Sequence, residues 1–299
     1  DEAMARLIAQ YPGLADLVTL GLNHEQQHQE LLLTDLKYSL SFNPLAPTLG
    51  QPLDPSGPTA PLRFQTFSGG LVDMGASSNG FAFDNETPRH RVWLEPFSLA
   101  NRPVTQGEFR AFIQDGGYRR ADLWLSDGWA WVQSNAVQRP LYWHEDLDQH
   151  FTLAGLQPLH PGQILAHVNY YEADAYARWA GKRLPTEQEW EHVATTQPQQ
   201  GNFVDNGLYQ PGPAIDTGMA HLFGDVWEWT ASAYLPYPGF QPDAGAVGEY
   251  NGKFMCNQMV LRGGSCVSAP GHLRATYRNF FYPHLRWQFS GVRLAHSME

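Results

Sequence analysis

Two histidines, His24 and His28, are the residues whose type and spacing most clearly suggest a chemical role. They lie in the stretch HEQQHQELLLTDLKYSL. Positions i and i+4 of a helix differ by about 40° around its axis, so the two imidazoles project from one face, a turn apart. That spacing lets one metal ion take two imidazole ligands from a single rigid element. Gln27 lies at the rim of the same face.

The spacing alone leaves two other interpretations open. Such a pair also occurs by chance in polar helices, and Glu25, directly after His24, makes a metalloprotease a further alternative. A catalytic metal centre needs at least three protein ligands, and helical periodicity selects no third ligand from the chain's 12 histidines. We expect Glu30, which lies off the histidine face, to contact the rest of the protein rather than a metal.

The chain divides into three segments. Residues 1–42 read as helix, with Leu17, Leu20, His24, Leu31 and Asp35 close to one face. Residues 43–61, NPLAPTLGQPLDPSGPTAP, are too rich in Pro and Gly for a helix and predict a linker. Residues 62–299 mix short strands, helices and long loops, which predicts an α+β domain.

Local signals predict individual elements of this third segment. The stretch RFQTFSGGLVDMGA alternates and turns like a hairpin. Thr105 with Glu108, and Thr186 with Glu189, have the spacing of a capping box and each predict the start of a helix. A further amphipathic helix is predicted in YYEADAYARWAGKR, with Gly181 as its stop signal.

The composition excludes several classes of function. The 299 residues carry a formal net charge of −11, which disfavours capture of nucleic acid or of an anionic membrane. Two cysteines, Cys256 and Cys266, are too few for a secreted disulfide framework, and we expect both thiols to be buried. No apolar run approaches the roughly 18 residues of a membrane span, so we expect a cytoplasmic protein.

Long motifs in the chain resemble a known pair of domains. GGLVDMGASSNGFAFDNETPRHRVWLEPFSLANRPVTQGEFRAFI, VNYYEADAYARWAGKRLPTEQEWEHVA, LFGDVWEWTASAY and VLRGGSCVSAPGHLRATYRNFFYPHLRWQFSGVRLA together resemble the formylglycine-generating-enzyme (sulfatase-modifying factor) domain, with its C-type-lectin-like fold, over residues 63–296. The preceding LNHEQQHQELLLTDL resembles the metal-binding helix of a DinB-like four-helix bundle. This pairing is typical of the ergothioneine-type sulfoxide synthases, also called hercynine oxygenases.

The resemblance implies an enzyme that uses non-haem iron(II) and O₂ to join the sulfur of a cysteine-type thiol to the imidazole of hercynine. It implies that His24 and His28 are two of three iron-binding histidines. The third ligand, and the proton-donating tyrosine, are then expected on a bundle segment upstream of residue 1, which would be a partner of this chain. No catalytic residue can therefore be named within residues 1–299.

The resemblance also implies a substrate pocket. Gln27, Tyr250, Asn279 and Phe280 match pocket residues of the family, and an aromatic wall favours a trimethylammonium group by about 1–2 kcal/mol when desolvated. Relatives that use γ-glutamylcysteine carry an acidic residue and an arginine where this chain has Phe281 and Leu285. This departure favours free cysteine, or a selenium-containing or other thiol donor.

Alternatives from other classes stay open. They are a selenoneine synthase that uses a selenosugar, an ovothiol-type synthase that acts on histidine, and a non-catalytic lectin-like binding module. A site for histidine needs a carboxylate near the substrate amine, whereas a site for hercynine needs an aromatic cage. Asp225 and Glu228 are expected to organise a loop, with a Ca²⁺ site as the alternative.

Overall fold

The computed structural model describes residues 2–54, 59–216, 218–242 and 244–298. The helical N-terminal segment predicted from the sequence consists of α1 (Glu2–Gln10), a 3₁₀ turn (Pro12–Leu14) and α2 (Ala15–Ser41). Pro12 has no N–H to donate, which explains why the first helix ends before it. Between α2 and the first strand the described residues form neither helix nor strand, and residues 55–58 of the predicted linker lie outside the described residues.

Side-chain caps start three of the five helices described in the C-terminal segment. They are α3 (Gln106–Gln114), α4 (Ser126–Ser134), α5 (Tyr170–Trp179), α6 (Glu187–Ala194) and α7 (Glu249–Gly252). Thr105 and Thr186 cap α3 and α6 through the predicted capping boxes, and Asn169 caps α5 in the same way. Short 3₁₀ turns complete the helical content at Asp84–Glu86, Gly117–Arg119, Ala121–Leu123, Val204–Asn206 and Gly245–Val247.

The strands are short. They are β1 (Phe64–Phe67), β2 (Gly70–Met74), β3 (His90–Leu94), β4 (Phe97–Ala100), β5 (Gln149–Thr152), β6 (Gly155–Pro158), β7 (Gly201–Asn202), β8 (Phe223–Gly224), β9 (Trp227–Ala233), β10 (Met259–Arg262), β11 (Asn279–Phe281), β12 (Ser290–Gly291) and β13 (Ala295–Ser297). They form a three-stranded sheet β1-β4-β13, a four-stranded sheet β11-β10-β9-β12 and the pairs β2-β3, β5-β6 and β7-β8. The predicted α+β class is confirmed.

The hairpin predicted for residues 63–76 is wrong. β1 pairs with β4, and β2 pairs with β3, so β1 and β2 do not pair with each other as a hairpin would require. The chain bends at Gly69, which has φ +66°, and a Cβ there would lie 2.3 Å from the carbonyl oxygen of Leu94. The glycine pair therefore lets two backbones approach where the alternation of the sequence suggested a turn.

The core of the C-terminal segment is aromatic and contains paired charges. Trp190, Trp227 and Trp229 are fully buried. Arg278 donates from Nε to Glu187 Oε2 at 2.9 Å, with both side chains buried. Such a core holds the surrounding loops in one arrangement, because each buried charge has an opposite charge beside it.

Helix α2 packs against this core by a polar stripe. Its buried residues are Glu30, Thr34 and Lys37. The face expected from the sequence differs, since Leu17 and Asp35 are exposed. Glu30 contacts the C-terminal segment, as expected for a residue off the histidine face. Among the described residues, no helix has both the length and the apolar character required to cross a bilayer.

Candidate active site

The two histidines of α2 converge. Nε2 of His24 lies 3.3 Å from Nε2 of His28, with ring centroids 4.5 Å apart, and both residues are exposed. Two nitrogens bound at about 2.1 Å to one ion, roughly 90–109° apart around it, lie about 3.0–3.4 Å from each other. The pair therefore fits two positions of a metal ion.

A complete metal site is not formed by this part of the chain. Across the described residues, no group of three or more His, Cys, Asp or Glu side chains is arranged to hold a metal ion. The third histidine expected from the resemblance stays a prediction.

Helix α7 brings a tyrosine to the histidine pair. The ring of Tyr250 meets that of His24 edge-on, with centroids 5.7 Å apart and an interplanar angle of 89°. Tyr250 is 43% exposed and packs on Phe254, which in turn contacts Phe280. These contacts connect the histidines to a cavity in the C-terminal segment.

That cavity has a volume of about 100 Å³, and all four predicted substrate-binding residues line it. Gln27 enters from α2, Tyr250 from α7, and Asn279 and Phe280 from β11. The remaining lining residues are Glu30, Leu31, Phe83, Asn85, Trp227, Asn251, Tyr277, Arg278, Phe281 and Gln288. Residues as far apart in sequence as Gln27 and Gln288 thus share one small space.

Stacked rings make the wall of the cavity rigid. Phe280 lies parallel to Tyr234 at 4.0 Å between centroids, with an interplanar angle of 10°. Trp227 packs against Tyr277 at 5.5 Å. A wall of this kind presents the negative faces of aromatic rings, which attract a cation that has no hydrogen-bond donors.

One carboxylate also faces the cavity. Glu30 accepts from the Trp227 indole at 2.6 Å and from the hydroxyls of Ser265 at 2.8 Å and Ser268 at 2.7 Å. Burial raises the pKa of Glu30, and these hydrogen bonds oppose that shift. Because its oxygens are already bonded to the protein, Glu30 contributes charge to the cavity rather than a free ligand for an amine.

Sequence reasoning missed a chain of hydrogen bonds beneath Gln27. The Gln27 amide donates to the Tyr277 hydroxyl at 2.6 Å, and Nε2 of His272 lies 3.3 Å from the same oxygen. Nδ1 of His272 is 3.2 Å from Oδ1 of Asn23, one residue before His24. Burial lowers the pKa of His272 to about 4, so the ring is neutral near pH 7. No short-range pattern marks contacts across some 250 residues.

The comparisons with known proteins decide the family. The profile of the sulfatase-modifying factor enzyme 1-like domain matches residues 63–215 and 206–298. A protein named hercynine oxygenase from Mycolicibacterium smegmatis is 34% identical over 304 residues, 92% of this chain and 70% of that protein. Another from Mycolicibacterium thermoresistibile is 34% identical over 95% of this chain and 70% of its own length. The chain belongs to the hercynine oxygenase family.

The fold is shared more widely than the family. The solved structure of PvdO from Pseudomonas aeruginosa is 22% identical and aligns over 79% of this chain and 94% of that chain, with a TM-score of 0.51. The resemblance seen in the sequence motifs is thus confirmed for the hercynine oxygenase family and for the fold of its C-terminal segment.

The metalloprotease alternative depends on the position of Glu25. His24, Glu25 and His28 have the zincin spacing, in which the glutamate acts as general base beside the metal. Glu25 is exposed and does not line the cavity. Glu25 therefore takes no part in the cavity that the predicted substrate-binding residues form.

Other residues singled out in the sequence lie away from the cavity. The expectation of two buried thiols is wrong for Cys256, which is exposed, whereas Cys266 is buried. Asp225 accepts from the backbone N–H of Gly212 at 2.7 Å and from the side chain of Asn202. Glu228 pairs with Arg293 at 2.7 Å. Both carboxylates organise structure, as expected.

The positions that are charged in relatives using γ-glutamylcysteine are occupied here by apolar contacts. Phe281 lines the cavity and meets the Trp287 ring at 5.1 Å. Leu285 lies in a separate groove beside α2 together with Arg286, whose guanidinium is bonded to Glu172 at 3.0 Å. An acidic and a basic group for a large thiol are therefore missing at these two positions.

Proposed function

We propose that this chain is part of a hercynine oxygenase of the sulfoxide synthase type, which uses iron(II) and O₂ to form a C–S bond between a cysteine-type thiol and the imidazole of hercynine. The observation that supports this best is the meeting of Gln27, Tyr250, Asn279 and Phe280 in one aromatic cavity beside the converging His24–His28 pair.

The cavity wall would bind the trimethylammonium group of hercynine. Tyr250, Phe280 and Trp227 offer ring faces, and Glu30 adds a buried carboxylate nearby. A quaternary ammonium has no N–H, so it is attracted by rings and by charge without needing a free acceptor. Histidine would instead need a free carboxylate for its primary ammonium, and the oxygens of Glu30 are taken by Trp227, Ser265 and Ser268. This arrangement favours hercynine over histidine.

The other end of the substrate is an imidazole. Oε1 of Gln27 is buried without a hydrogen-bond partner, while its amide nitrogen is held by Tyr277. Gln27 can therefore accept the imidazole N–H and orient the ring towards the adjacent histidine pair. Holding the imidazole in one orientation is what a bond-forming step between two substrates requires.

His24 and His28 would hold iron(II) together with a third ligand on the N-terminal bundle segment. Iron(II) held by histidine side chains would supply the activation of O₂. Both histidines are exposed, so they are accessible to that partner segment.

The test uses the full-length enzyme loaded with iron(II) under anaerobic conditions and then given hercynine, L-cysteine and O₂. We expect mass spectrometry to detect the cysteinyl hercynine sulfoxide, and we expect His24→Ala to lose both bound iron and turnover. Glu25→Ala, which changes the exposed neighbouring residue, is the matched control and keeps both. Turnover by His24→Ala, or equal turnover of histidine and hercynine by the unchanged enzyme, contradicts the proposal.

A further inference from the structure

A chain of hydrogen bonds leaves α2 at one turn and returns to it at the next. It begins at Asn23 and ends at Gln27, and each of these residues directly precedes one histidine of the pair. Oδ1 of Asn23 lies 3.2 Å from Nδ1 of His272, and Nε2 of His272 lies 3.3 Å from the Tyr277 hydroxyl. The same hydroxyl lies 2.6 Å from Nε2 of Gln27. Two residues of the C-terminal segment therefore connect the two turns that carry the histidines.

The Asn23 end of this chain has a fixed polarity. Nδ2 of Asn23 donates to the backbone oxygen of Thr19 at 2.9 Å, and a backbone carbonyl only accepts. Oδ1 of Asn23 therefore faces His272, and since an amide oxygen cannot donate, Nδ1 of His272 must carry the proton. Burial and the nearby Arg274 guanidinium lower the pKa of His272 to about 4, so the ring carries a single proton near pH 7. Nε2 of His272 is thus a hydrogen-bond acceptor.

This polarity passes through Tyr277 to Gln27. The Tyr277 hydroxyl has one proton, which it donates to Nε2 of His272. Its oxygen can then only accept, so it takes an N–H of the Gln27 amide. An amide turned the other way would set two oxygens 2.6 Å apart with no proton between them. The nitrogen of Gln27 is therefore committed to Tyr277, and its oxygen is the end left for a ligand of the cavity that Gln27 lines.

The neighbours of His272 keep its ring in place and singly protonated. The ring of Phe83 meets those of His272 and Tyr277 edge-on, with centroids 6.3 Å and 5.7 Å away. Arg274 donates from Nη1 to the backbone oxygen of His272 at 2.9 Å and is paired with buried Glu86 at 2.6 Å. These contacts fix a positive charge beside the imidazole, which opposes a second proton on it.

Resting on the proposed function, we propose that His272 is a positioning residue, which acts through Tyr277 to hold the Gln27 oxygen as the acceptor for the imidazole N–H of hercynine. His272 itself does not line the cavity. Without an acceptor at Nε2 of His272, the Tyr277 hydroxyl turns its proton to Gln27, and the amide then presents its nitrogen to the substrate. Two N–H donors face each other in that arrangement, which leaves both without a partner.

The first experiment measures selectivity rather than affinity alone. Calorimetry on the full-length enzyme compares hercynine with its oxazole analogue, in which an oxygen atom replaces the ring N–H. Iron is omitted, so that a bond from the ring to the metal does not enter the comparison. A hydrogen bond to a well-placed acceptor changes affinity by about tenfold. We expect the unchanged enzyme to bind hercynine at least about tenfold more tightly than the analogue, and equal binding overturns the proposal.

Variants assign this selectivity to His272. His272→Leu removes the acceptor, and we expect the preference for hercynine to fall to within about threefold. His272→Gln retains an oxygen that can accept from Tyr277, so it should keep most of the preference. His144→Leu, at an exposed histidine, is the matched control and should keep all of it. Loss of the preference in His272→Gln, or its retention in His272→Leu, overturns the proposal.

A double-mutant cycle tests whether His272 acts through Tyr277. Tyr277→Phe removes the hydroxyl, and we expect it to reduce the preference for hercynine as much as His272→Leu does. The double variant should lose no more than Tyr277→Phe alone, because two members of one hydrogen-bond chain are not additive. Independent, multiplying losses would show that His272 acts by another route, which overturns the proposal.

A second measurement needs no ligand and no substitution that risks the fold. Nitrogen NMR of the full-length, metal-free enzyme labelled in its histidines distinguishes a protonated ring nitrogen from a bare one. We expect His272 to be protonated at Nδ1 and bare at Nε2 near pH 7. A proton on Nε2 overturns the proposal, because Nε2 would then donate to Tyr277 and free the phenol proton for Gln27.

Failure of the proposed function would look different from failure of this inference. An unchanged enzyme that binds no hercynine contradicts the proposed function, while a proton on Nδ1 of His272 still supports the hydrogen-bond chain as far as Gln27. An enzyme that binds and converts hercynine but carries the proton on Nε2 of His272 leaves the proposed function standing and overturns the role of His272 alone.

Discussion

The buried ionisable side chains of α2 and those of the C-terminal segment differ in their partners. Arg278 with Glu187, and Arg293 with Glu228, pair opposite charges at 2.9 Å and 2.7 Å. On α2, by contrast, Nζ of Lys37 lies 2.8 Å from a neutral histidine, His167. Glu30 likewise meets an indole and two hydroxyls.

This difference in partners predicts that the C-terminal segment is rigid, whereas the attachment of α2 responds to pH. Removing one partner of a buried ion pair leaves an uncompensated charge, so the paired network tolerates little change. Charges with neutral partners instead respond to pH, because nothing holds them ionised. We infer that the substrate wall is the rigid part, and that the helix carrying the histidines is attached by contacts that depend on protonation.

The largest effect is expected in the paired network. Glu187→Gln leaves Arg262 and Arg278 short of a carboxylate, and we expect the free energy of unfolding to fall by about 3–5 kcal/mol. Urea denaturation followed by tryptophan fluorescence measures it. Asp216→Asn, at the exposed pair with Arg63, is the control and should leave the midpoint unchanged. An equally small change in unfolding free energy in both variants would show that the buried pairs do not make the C-terminal segment less tolerant of change than its exposed pairs.

An intermediate effect is expected at Lys37. Burial lowers the pKa of Lys37 to about 7, whereas an unfolded lysine has a pKa of about 10.4. Between these values the unfolded chain binds more protons, so stability should rise with pH by up to about 1.4 kcal/mol per unit. We expect Lys37→Met to reduce the gain in unfolding free energy between about pH 7 and pH 9 by about 2 kcal/mol.

The neighbours of Lys37 do not obscure this test. Its amine faces His167, the rings of Tyr142 and Phe289, and the thiol of Cys266. Burial lowers the pKa of His167 and raises that of Cys266, which moves both titrations away from the window of measurement. Lys253→Met, on the exposed surface, is the matched control. The same pH dependence in Lys37→Met and in the unchanged protein would refute the assignment.

The smallest effect is expected at Glu30. Because burial raises its pKa, the stability that its protonated form contributes is present at low pH and lost as pH rises. Glu30→Gln removes this loss, and the Ser268 hydroxyl can rotate to accept from the new amide. We expect unfolding free energy at about pH 8 to rise by about 1 kcal/mol, with the gain shrinking towards about pH 5.

The Glu30→Gln variant also tests whether the carboxylate contributes to hercynine binding. Loss of the carboxylate should weaken hercynine binding by about fivefold in calorimetry, equivalent to about 1 kcal/mol. Glu30→Gln would then be more stable and bind less well. Unchanged affinity would show that the aromatic rings alone attract the cation.

Elements set by neighbouring residues could be predicted from the sequence. Thr105 and Thr186 start α3 and α6 because a cap and its partner lie three residues apart. The pairing of β1 could not be predicted in this way, since its partner β4 is separated from it by another strand pair and by a bend at Gly69.

The same division holds for the site. Residues within quoted motifs, such as Gln27 and Asn279, were nominated by resemblance and do line one cavity. His272 and Tyr277 were not nominated, because their importance lies in contacts made across the fold. An unpaired oxygen or a hydrogen-bond chain exists only once the chain has folded.

Helix α2 is continuous over 27 residues, about 40 Å, and it carries both the histidine turn and the residues that attach it to the C-terminal segment. Hydrogen bonds are directional, so the bonds of Glu30 and Lys37 to the C-terminal segment hold the helix at a single rotational setting in a way that apolar contacts would not. A slip by one residue would swing His24 and His28 by about 100° and carry them off the cavity mouth. The direction of the imidazoles is thus set by the turns of the helix that directly follow them.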